Sequence, residues 1–236
     1  MRNFMEFWQI IKEDLSEPSR QDPAYRGIVD LLFCYPGVWA LVNYRFAHFF
    51  YERGFKLIAR AISGVTRLIT GVDINPGAQI GRHVFFDHAA GLVIGETAIV
   101  GDCCLIYQGV TLGGVSLEHG KRHPTLERGV VVGAGAKVLG NITIGENSKI
   151  GANSVVVKDV APNCTAVGVP ARMVGGCASD PLAHDKIPDI SKELIRYLIK
   201  RIEILEHAVG ADNKEMSKLD EELDEKYDSY LNSLKF

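Results

Sequence analysis

An apolar residue recurs at every sixth position through the middle of the chain, and this period restricts the fold more than any other feature. The series starts at Ile74, shifts by two residues at Leu92-Val93, and resumes after a longer insertion. Its members are Ile74, Ile80, Phe86, Ile94, Val100, Ile106, Leu112, Val132, Val138, Ile144, Ile150 and Val156. A period of six matches neither the 2.0 of a flat strand nor the 3.6 of an amphipathic helix. The repeat instead predicts a parallel β-helix.

In such a helix, three six-residue units form one triangular coil of about 18 residues. Coils stack at the strand spacing of about 4.8 Å, and glycine permits the tight backbone of the corners. Hexapeptide repeats are associated with a left-handed coil, in contrast to the usual right-handed crossover. We therefore expect a left-handed parallel β-helix. Because side chains fill its prism, a ligand must bind at corners, in loops or between subunits.

Outside the repeat, the spacing of apolar residues is helical. Before it, three helices are predicted at Phe4–Leu15, Pro36–Arg53 and Phe55–Thr70, between Pro-containing turns. After it, residues 190–209 follow the spacing of a coiled-coil seam, and residues 214–236 are acidic and helix-prone. The expected domains are an α-helical N-terminal domain at 1–70, a β-helix domain at 71–176 with an inserted loop at 113–130, and a C-terminal linker and helical tail at 177–236.

Composition excludes several classes of partner. The 26 basic and 29 acidic residues give a net charge of −3, too little positive charge to hold a phosphate backbone, so we expect no nucleic acid. The most apolar stretch, residues 27–51, is broken by Pro36-Gly37 and carries Asp30 and Arg45, which predicts buried helices and no membrane span. The N-terminus lacks the order of a signal peptide, and the five cysteines form no CxxC pair, which indicates the cytoplasm. No histidine spacing indicates a metal site.

Two segments carry polar residues that the repeat does not require. One is the insertion from Gly113 to Pro124, which contains Arg122 and His123. The other is the corner at Asp87-His88. Asp73 lies 15 residues before His88, close to one coil, so stacking brings the two near one corner. A carboxylate–imidazole hydrogen bond there would fix the histidine tautomer, whereas the alternative is that Asp73 caps a turn and His88 only occupies a corner.

Several motifs of the repeat region occur together in one known family. They are Val72–Ala78, Phe86–Gly91, Ile94–Ala98, Tyr107–Gly114, Arg122–Pro124, Ile144–Ala152 and Gly168–Arg172. In this combination they resemble the serine O-acetyltransferase family, over roughly residues 20–175. The resemblance implies acetyl transfer from acetyl-CoA to the hydroxyl of L-serine, the first step of cysteine biosynthesis.

The resemblance also assigns catalytic roles. His88 matches the general base of the family and Asp73 its orienting partner. A serine hydroxyl is a poor nucleophile at neutral pH, and a positioned base typically supplies ~10²–10⁴ in rate. Attack on the thioester creates an oxyanion, for which the backbone N–H of Gly114 is the candidate donor.

Further positions match residues that hold the amino acid. Asp22 and Asp87 match those that receive its ammonium group. Arg122 and His123 match those that receive its carboxylate, for which arginine offers a bidentate contact. Glu96 lies close to them in the motif pattern, and both a structural and a catalytic role remain open for it.

The coenzyme is expected along one corner of the prism. Ala134 and Ala152 are 18 residues apart and should stack, leaving a groove for the pantetheine arm. Lys149 and Arg172 are candidates for the CoA phosphates. Lys137 is 12 residues from Lys149 and should therefore lie on another face.

The resemblance implies partners as well. A homotrimer is expected, because the family builds its site between neighbouring prisms, and a dimer of trimers stays open. L-Cysteine, which differs from serine by one atom, is the expected feedback inhibitor. Many members insert a terminal isoleucine into O-acetylserine sulfhydrylase; here the last residue is Phe236, whose larger ring argues against tight binding.

Three other functions compete with this one. A hexapeptide O-acetyltransferase for another hydroxyl, on a sugar or a xenobiotic, would keep His88 and the groove but would not need Asp22, Asp87 and Arg122 together. A hexapeptide carbonic anhydrase needs three converging histidines, which the spacing of the histidines at positions 83, 88 and 123 does not provide. A non-catalytic scaffold would not depend on His88.

Overall fold

The computed structural model describes residues 4–174, 195, 198–203 and 205. Four helices precede the repeat: α1 (Phe4–Gln21), α2 (Ile28–Cys34), α3 (Pro36–Glu52) and α4 (Lys56–Thr70). The predicted helices α1, α3 and α4 are present, but α1 continues to Gln21 instead of ending at Leu15. The short α2 was missed because no side chain caps its N-terminus to signal a start.

Fifteen short strands follow within residues 73–174. They are β1 (Asp73–Ile74), β2 (Gln79–Ile80), β3 (Phe85–Phe86), β4 (Val93–Ile94), β5 (Ile99–Val100), β6 (Leu105–Ile106), β7 (Thr111–Gly113), β8 (Thr125–Leu126), β9 (Val131–Val132), β10 (Lys137–Leu139), β11 (Thr143–Ile144), β12 (Lys149–Ile150), β13 (Val155–Val156), β14 (Thr165–Gly168) and β15 (Ala171–Val174). Three parallel sheets form the faces of a prism. Face I is β1-β4-β7-β10-β13, face II is β2-β5-β8-β11, and face III is β3-β6-β9-β12-β14, to which β15 adds antiparallel. This is the left-handed parallel β-helix predicted from the repeat.

Two corners of the prism matter for function. The His88 corner joins face III to face I and consists of stacked turns at residues 87–92, 107–110, 133–136 and 151–154. The His123 corner joins face I to face II and consists of turns at residues 75–78 and 95–98 and the inserted loop above them. The two corners therefore border opposite edges of face I.

The prism interior is filled by the residues of the six-residue period, none of which is more than 4% exposed. After the insertion, the six-residue period resumes at Leu126, one six-residue unit earlier than predicted. The pairing of β8 with both β5 and β11 shows this. The predicted insertion at 113–130 was therefore too long. It ends at Pro124, before β8 begins.

Helix α3 packs directly onto the first coil. A Cβ at Gly37 would overlap the Phe86 carbonyl oxygen, so only glycine allows this approach. The Tyr44 hydroxyl donates to the Ala78 carbonyl across 2.6 Å. The buried guanidinium of Arg45 donates to the carbonyl oxygen of Ile80 at 2.6 Å and pairs with a buried aspartate of α1. The helices and the prism thus form one compact unit and share a hydrophobic core. The boundary predicted at residue 70 marks the change from helices to strands and does not divide two cores.

Residues 189–236 form a second unit. Within it, helical residues with exposed apolar side chains are Ile195, Leu198, Ile202 and Leu205. The remainder of the predicted seam at 190–209 and the whole tail at 214–236 lie outside the described residues.

Two further expectations concern membrane-spanning helices and the cysteines. Among the helices of the described ranges, none has the length and apolar character that a membrane crossing requires. Of the cysteines in the described ranges, Cys34, Cys103 and Cys104 are free and Cys164 is disulfide-bonded.

Candidate active site

The His88 corner turns sharply at its first level. Asp87 directly follows β3, and His88 and Ala89 both have left-handed backbone, with φ of 57° and 61°. Such a conformation is unusual for two successive non-glycine residues. It leaves the His88 side chain 75% exposed at the edge of the prism, where a substrate can reach its ring.

Two carboxylates accompany the His88 ring. Asp87 Oδ1 lies 4.0 Å from His88 Nε2, and burial of the Asp87 carboxyl raises its pKa. Asp22, in the turn after α1, acts electrostatically on both His88 and Asp87. A hydrogen bond from the Tyr35 hydroxyl, 2.6 Å long, lowers the pKa of Asp22 and so keeps it ionised. The structure thus brings together three residues that sequence reasoning selected.

Asp73 lies at the same corner but has a different partner. The Gly91 N–H donates to the Gly71 carbonyl at 2.9 Å, which stacks the turn containing His88 on the segment that leads into β1. The Asp73 carboxylate pairs with Arg67 of α4 at 3.3 Å. Within residues 4–174 no hydrogen bond joins Asp73 to His88. The contact between Asp73 and His88, and the orienting role of Asp73, both stay predictions.

The stacked turns above His88 form a column. Backbone hydrogen bonds of 2.8–2.9 Å link Gly109 to Ala90, Gly135 to Gln108, and Asn153 to Ala134. Ala134 and Ala152 therefore lie at the same corner as His88, two and three levels above it. Both are small, Ala134 is half-buried and Ala152 is exposed, so no large side chain covers these two levels of the corner.

The basic residues selected for CoA lie beside this column. Lys149 belongs to β12 and Arg172 to β15, so both are on face III. Lys137 belongs to β10 on face I, as its spacing from Lys149 predicted. Face III therefore supplies positive charge along one side of the His88 corner.

The His123 corner contains a different set of groups. Arg122 Nη2 donates to Glu96 Oε2 at 2.6 Å, and this hydrogen bond lowers the pKa of Glu96. The Tyr51 hydroxyl contacts the other Glu96 oxygen at 3.4 Å. Glu96 therefore holds the guanidinium in place, which supports a structural role for it. A cleft of about 440 Å³ opens beside this pair.

The His123 ring packs against the backbone of Gly95 in the level below. A Cβ at Gly95 would overlap the ring, and a Cβ at Gly114 would lie 3.4 Å from Nε2. The residue is 9% exposed, and burial, followed by the charges of Arg122 and Lys121, lowers the pKa of its imidazole. His123 is therefore neutral at physiological pH, and Gly114 lies next to its Nε2.

Sequence reasoning missed three supporting residues. Tyr35 bonds to Asp22, Thr97 bonds to His123, and Lys121 Nζ donates to the carbonyl oxygens of residues 97, 123 and 124 at 2.7–3.2 Å. Thr97 lies within one of the family motifs, Ile94–Ala98, but its position in the six-residue period indicates only a corner of the prism. Nothing in the sequence pattern marks Tyr35 or Lys121.

The candidate residues thus form two separate groups. The His88 half-site consists of Asp22, Asp73, Asp87 and His88, and the His123 half-site consists of Glu96, Gly114, Arg122 and His123. One offers an imidazole among carboxylates, suited to accept a proton and hold an ammonium group. The other offers a guanidinium and a neutral imidazole, suited to hold an anion. Face I separates them within one chain.

The histidines do not converge on a common point. His83 Nδ1 lies 2.7 Å from a Glu17 carboxylate oxygen, on the side of the prism that carries α1. His88 and His123 lie on opposite edges of face I. In the described part of the chain, no group of three His, Cys, Asp or Glu side chains is placed to bind a metal ion. This arrangement gives no support to a carbonic anhydrase site.

Comparison with known proteins relates this architecture to one group of enzymes. A family model described as "Bacterial transferase hexapeptide (six repeats)" matches residues 123–158. The serine acetyltransferase of Synechococcus elongatus is 57% identical over 188 residues, which cover 79% of this chain and 77% of that protein. The serine acetyltransferase of Mycobacterium tuberculosis is 49% identical over 202 residues, covering 85% and 88%.

Solved structures agree. Neisseria gonorrhoeae serine acetyltransferase in complex with serine matches with a TM-score of 0.69 and 42% identity, over 73% of this chain and 70% of that one. The Brucella abortus enzyme in complex with coenzyme A gives 0.70 and 44%, over 74% and 71%. A serine acetyltransferase in complex with cysteine gives 0.70 and 41%, over 73% and 71%.

Proposed function

The chain belongs to the serine acetyltransferase family, and from this membership we propose how its own residues carry out the reaction. The reaction is transfer of the acetyl group of acetyl-CoA to the hydroxyl of L-serine, giving O-acetylserine and CoA. One observation carries the residue assignment. The two half-sites have complementary chemistry, and each is at a corner where a second prism can dock.

His88 is the general base. Its exposed imidazole accepts the hydroxyl proton as the serine oxygen attacks the thioester carbon, and an oxyanion forms on the former carbonyl oxygen. Collapse of this intermediate breaks the carbon–sulfur bond and expels the CoA thiolate. The thiolate recovers the proton from His88, so the enzyme returns to its starting state. The backbone N–H of Gly114, beside His123, is the proposed oxyanion donor.

The two ends of serine are held by opposite charges. Asp22 and Asp87 flank His88 and bind the ammonium group, and the Tyr35 hydrogen bond keeps Asp22 ionised. Arg122 and His123 bind the carboxylate. Glu96 fixes the guanidinium plane, which a bidentate contact requires.

Acetyl-CoA lies along the His88 corner. The small side chains of Ala134 and Ala152 let the pantetheine arm run against the backbone towards His88. Lys149 and Arg172, on the adjoining face III, are placed to meet the phosphates.

A ring of three chains completes each site. Face I lies between the half-sites, so the His88 corner of one copy has to meet the His123 corner of another. This is a head-to-tail contact, which closes into a ring when the rotation permits. Three triangular prisms with face I turned inward satisfy that geometry. Assembly of two such trimers stays open.

Helix α4 supports this arrangement. Its polar side, including Arg60 and Arg67, lines a cleft with Asp73 and Val93 of face I. Its other side presents apolar side chains that are 46–87% exposed, at Leu57, Ile58, Val65, Leu68 and Ile69. A contiguous exposed apolar surface of this kind marks an interface in a folded protein.

Replacement of Leu68 by glutamate is expected to dissociate the trimer and abolish most activity, because the charge would be buried at the threefold axis. Light scattering after size exclusion should show one chain mass instead of three, with an unchanged circular dichroism spectrum. Thr143→Glu, on exposed face II, is the matched control and should stay trimeric. A trimeric, active Leu68→Glu protein would show that α4 is not at the interface.

L-Cysteine is expected to inhibit competitively against L-serine. It carries the same ammonium and carboxylate groups, so Asp22, Asp87, Arg122 and His123 should bind it. Initial rates at several concentrations of both amino acids test this. Purely uncompetitive inhibition, or none at millimolar cysteine, would contradict the shared site.

The acceptor assignment is tested by release of free thiol from acetyl-CoA with a panel of hydroxyl compounds. L-Serine should exceed sugars and xenobiotics in kcat/KM. Preference for a sugar would favour the alternative acetyltransferase, which the combination of Asp22, Asp87 and Arg122 opposes. A cytoplasmic location stays a prediction. Weak binding to a sulfhydrylase through Phe236 also stays a prediction, because that residue lies outside the described ranges.

A further inference from the structure

Thr97 connects the two anion-binding residues of the His123 half-site. Its hydroxyl oxygen accepts hydrogen bonds from the backbone N–H groups of Arg122 at 3.0 Å and His123 at 3.1 Å. The same hydroxyl lies 2.9 Å from His123 Nδ1. The Thr97 backbone N–H also points at Nδ1, at 3.3 Å. One residue therefore fixes both the loop backbone and the imidazole.

The hydrogen-bond donors that face Nδ1 determine the tautomer of His123. A backbone N–H can only donate, so Nδ1 must accept from Thr97. The hydroxyl of Thr97 already accepts two N–H bonds, so its own hydrogen is free to donate to Nδ1 as well. A ring nitrogen that accepts carries no hydrogen. The proton of the neutral imidazole therefore lies on Nε2.

Burial and the surrounding charges keep the ring neutral. A second proton would have to occupy Nδ1, where two donors already point. Burial lowers the pKa of the imidazole most, the charges of Arg122 and Lys121 lower it further, and Glu96 opposes them. The Lys121 ammonium is itself anchored on the carbonyl oxygens of Thr97 and His123, both at 2.7 Å. It holds the loop against the level that contains Thr97.

We propose that Thr97 is a positioning residue that holds His123 as a neutral imidazole with its proton on Nε2, as a hydrogen-bond donor to an oxygen of the bound amino acid. The proposal deepens the proposed function and rests on it for the identity of that oxygen. Nε2 lies beside both Gly95 and Gly114: a Cβ at Gly95 would overlap it and a Cβ at Gly114 would be 3.4 Å from it, so the two glycines leave space next to this nitrogen. His123 then contributes a dipole, whereas Arg122 contributes the positive charge.

Two substitutions separate hydrogen bonding from packing. Thr97→Val keeps the shape but removes the hydroxyl, and Thr97→Ser keeps the hydroxyl but removes the methyl group. The valine variant is expected to raise KM for L-serine about tenfold and to leave KM for acetyl-CoA within about twofold, because the bond is on the amino-acid side. The serine variant should stay within about threefold of the wild type. Thr143→Val, on exposed face II, is the control and should change neither constant.

Two kinetic results would overturn the proposal. One is an unchanged KM for L-serine in Thr97→Val. The other is a Thr97→Ser protein as impaired as the valine variant, which would assign the effect to packing of the methyl group.

The tautomer is tested without reference to activity. Nitrogen NMR of the trimer with isotope-labelled histidine distinguishes a protonated from an accepting ring nitrogen, and His123→Gln identifies the signals. We expect Nε2 protonated and Nδ1 unprotonated near neutral pH. A proton on Nδ1 would refute the inference even in an active enzyme. Failure of the wild type to acetylate serine would refute the proposed function and leave this reading of His123 intact.

Discussion

Replacement of His88 by alanine is expected to lower kcat by ~10²–10⁴ and to leave the affinity for acetyl-CoA nearly unchanged. The imidazole acts on the acceptor hydroxyl, whereas the coenzyme lies on the turns above it. His88 is 75% exposed and makes no side-chain contribution to the core, so its removal should not unfold the chain. Steady-state kinetics and calorimetric titration with CoA measure the two quantities separately.

Serine binding in the His88→Ala variant can be compared with its turnover. Asp87 and Asp22 remain in place around the vacated position, so serine binding should change far less than turnover. Thermal unfolding of the variant should match that of the wild type. Equal losses of CoA affinity and turnover would show that His88 has a structural rather than a chemical role.

The sequence predicted the prism well because its geometry repeats. Each apolar residue of the six-residue period lies inside, and the corner positions of Asp73, His88, Ala134 and Ala152 follow from counting coils. The same counting missed β8, although Leu126 lies six residues before Val132, because the unit directly follows the aperiodic insertion. Residues 125–126 were therefore read as loop.

Side-chain partners could not be counted in this way. Spacing predicted Asp73 near His88, but the carboxylate of Asp73 pairs with Arg67 of α4. The bonds of Thr97 and Lys121 to the returning loop depend on where an aperiodic segment closes. Such contacts are long-range and have no period, so only the folded structure reveals them.

The separation of the two half-sites by face I could not be counted from the motif spacing, although each half was recognised and the family resemblance implied a site between neighbouring prisms. The motifs that contain His88 and those that contain Arg122 are close in sequence, which invites a single-chain site. The topology places them at opposite edges of face I. Two inactive proteins with defects at different corners should therefore repair each other.

Co-expression of His88→Ala and Arg122→Ala chains with different affinity tags is expected to give active mixed trimers. Arg122→Ala alone should lose at least ~10² in kcat/KM for serine, since two charge-assisted hydrogen bonds disappear. In a head-to-tail ring with both kinds of chain, one junction always joins an intact His88 corner to an intact His123 corner. Trimers purified through both tags should therefore show about one third of wild-type activity, whichever chain is in the majority.

The control is co-expression of His88→Ala with His88→Gln under the same tags. No junction in those rings contains an intact His88 corner, so activity should stay at the level of the single variants. The contrast between the two mixtures reports the site architecture alone, because tags, expression and assembly are the same in both. Restoration in the control would indicate contamination. Absence of restoration in mixed His88→Ala and Arg122→Ala trimers of confirmed mass would place both residues in one chain's site.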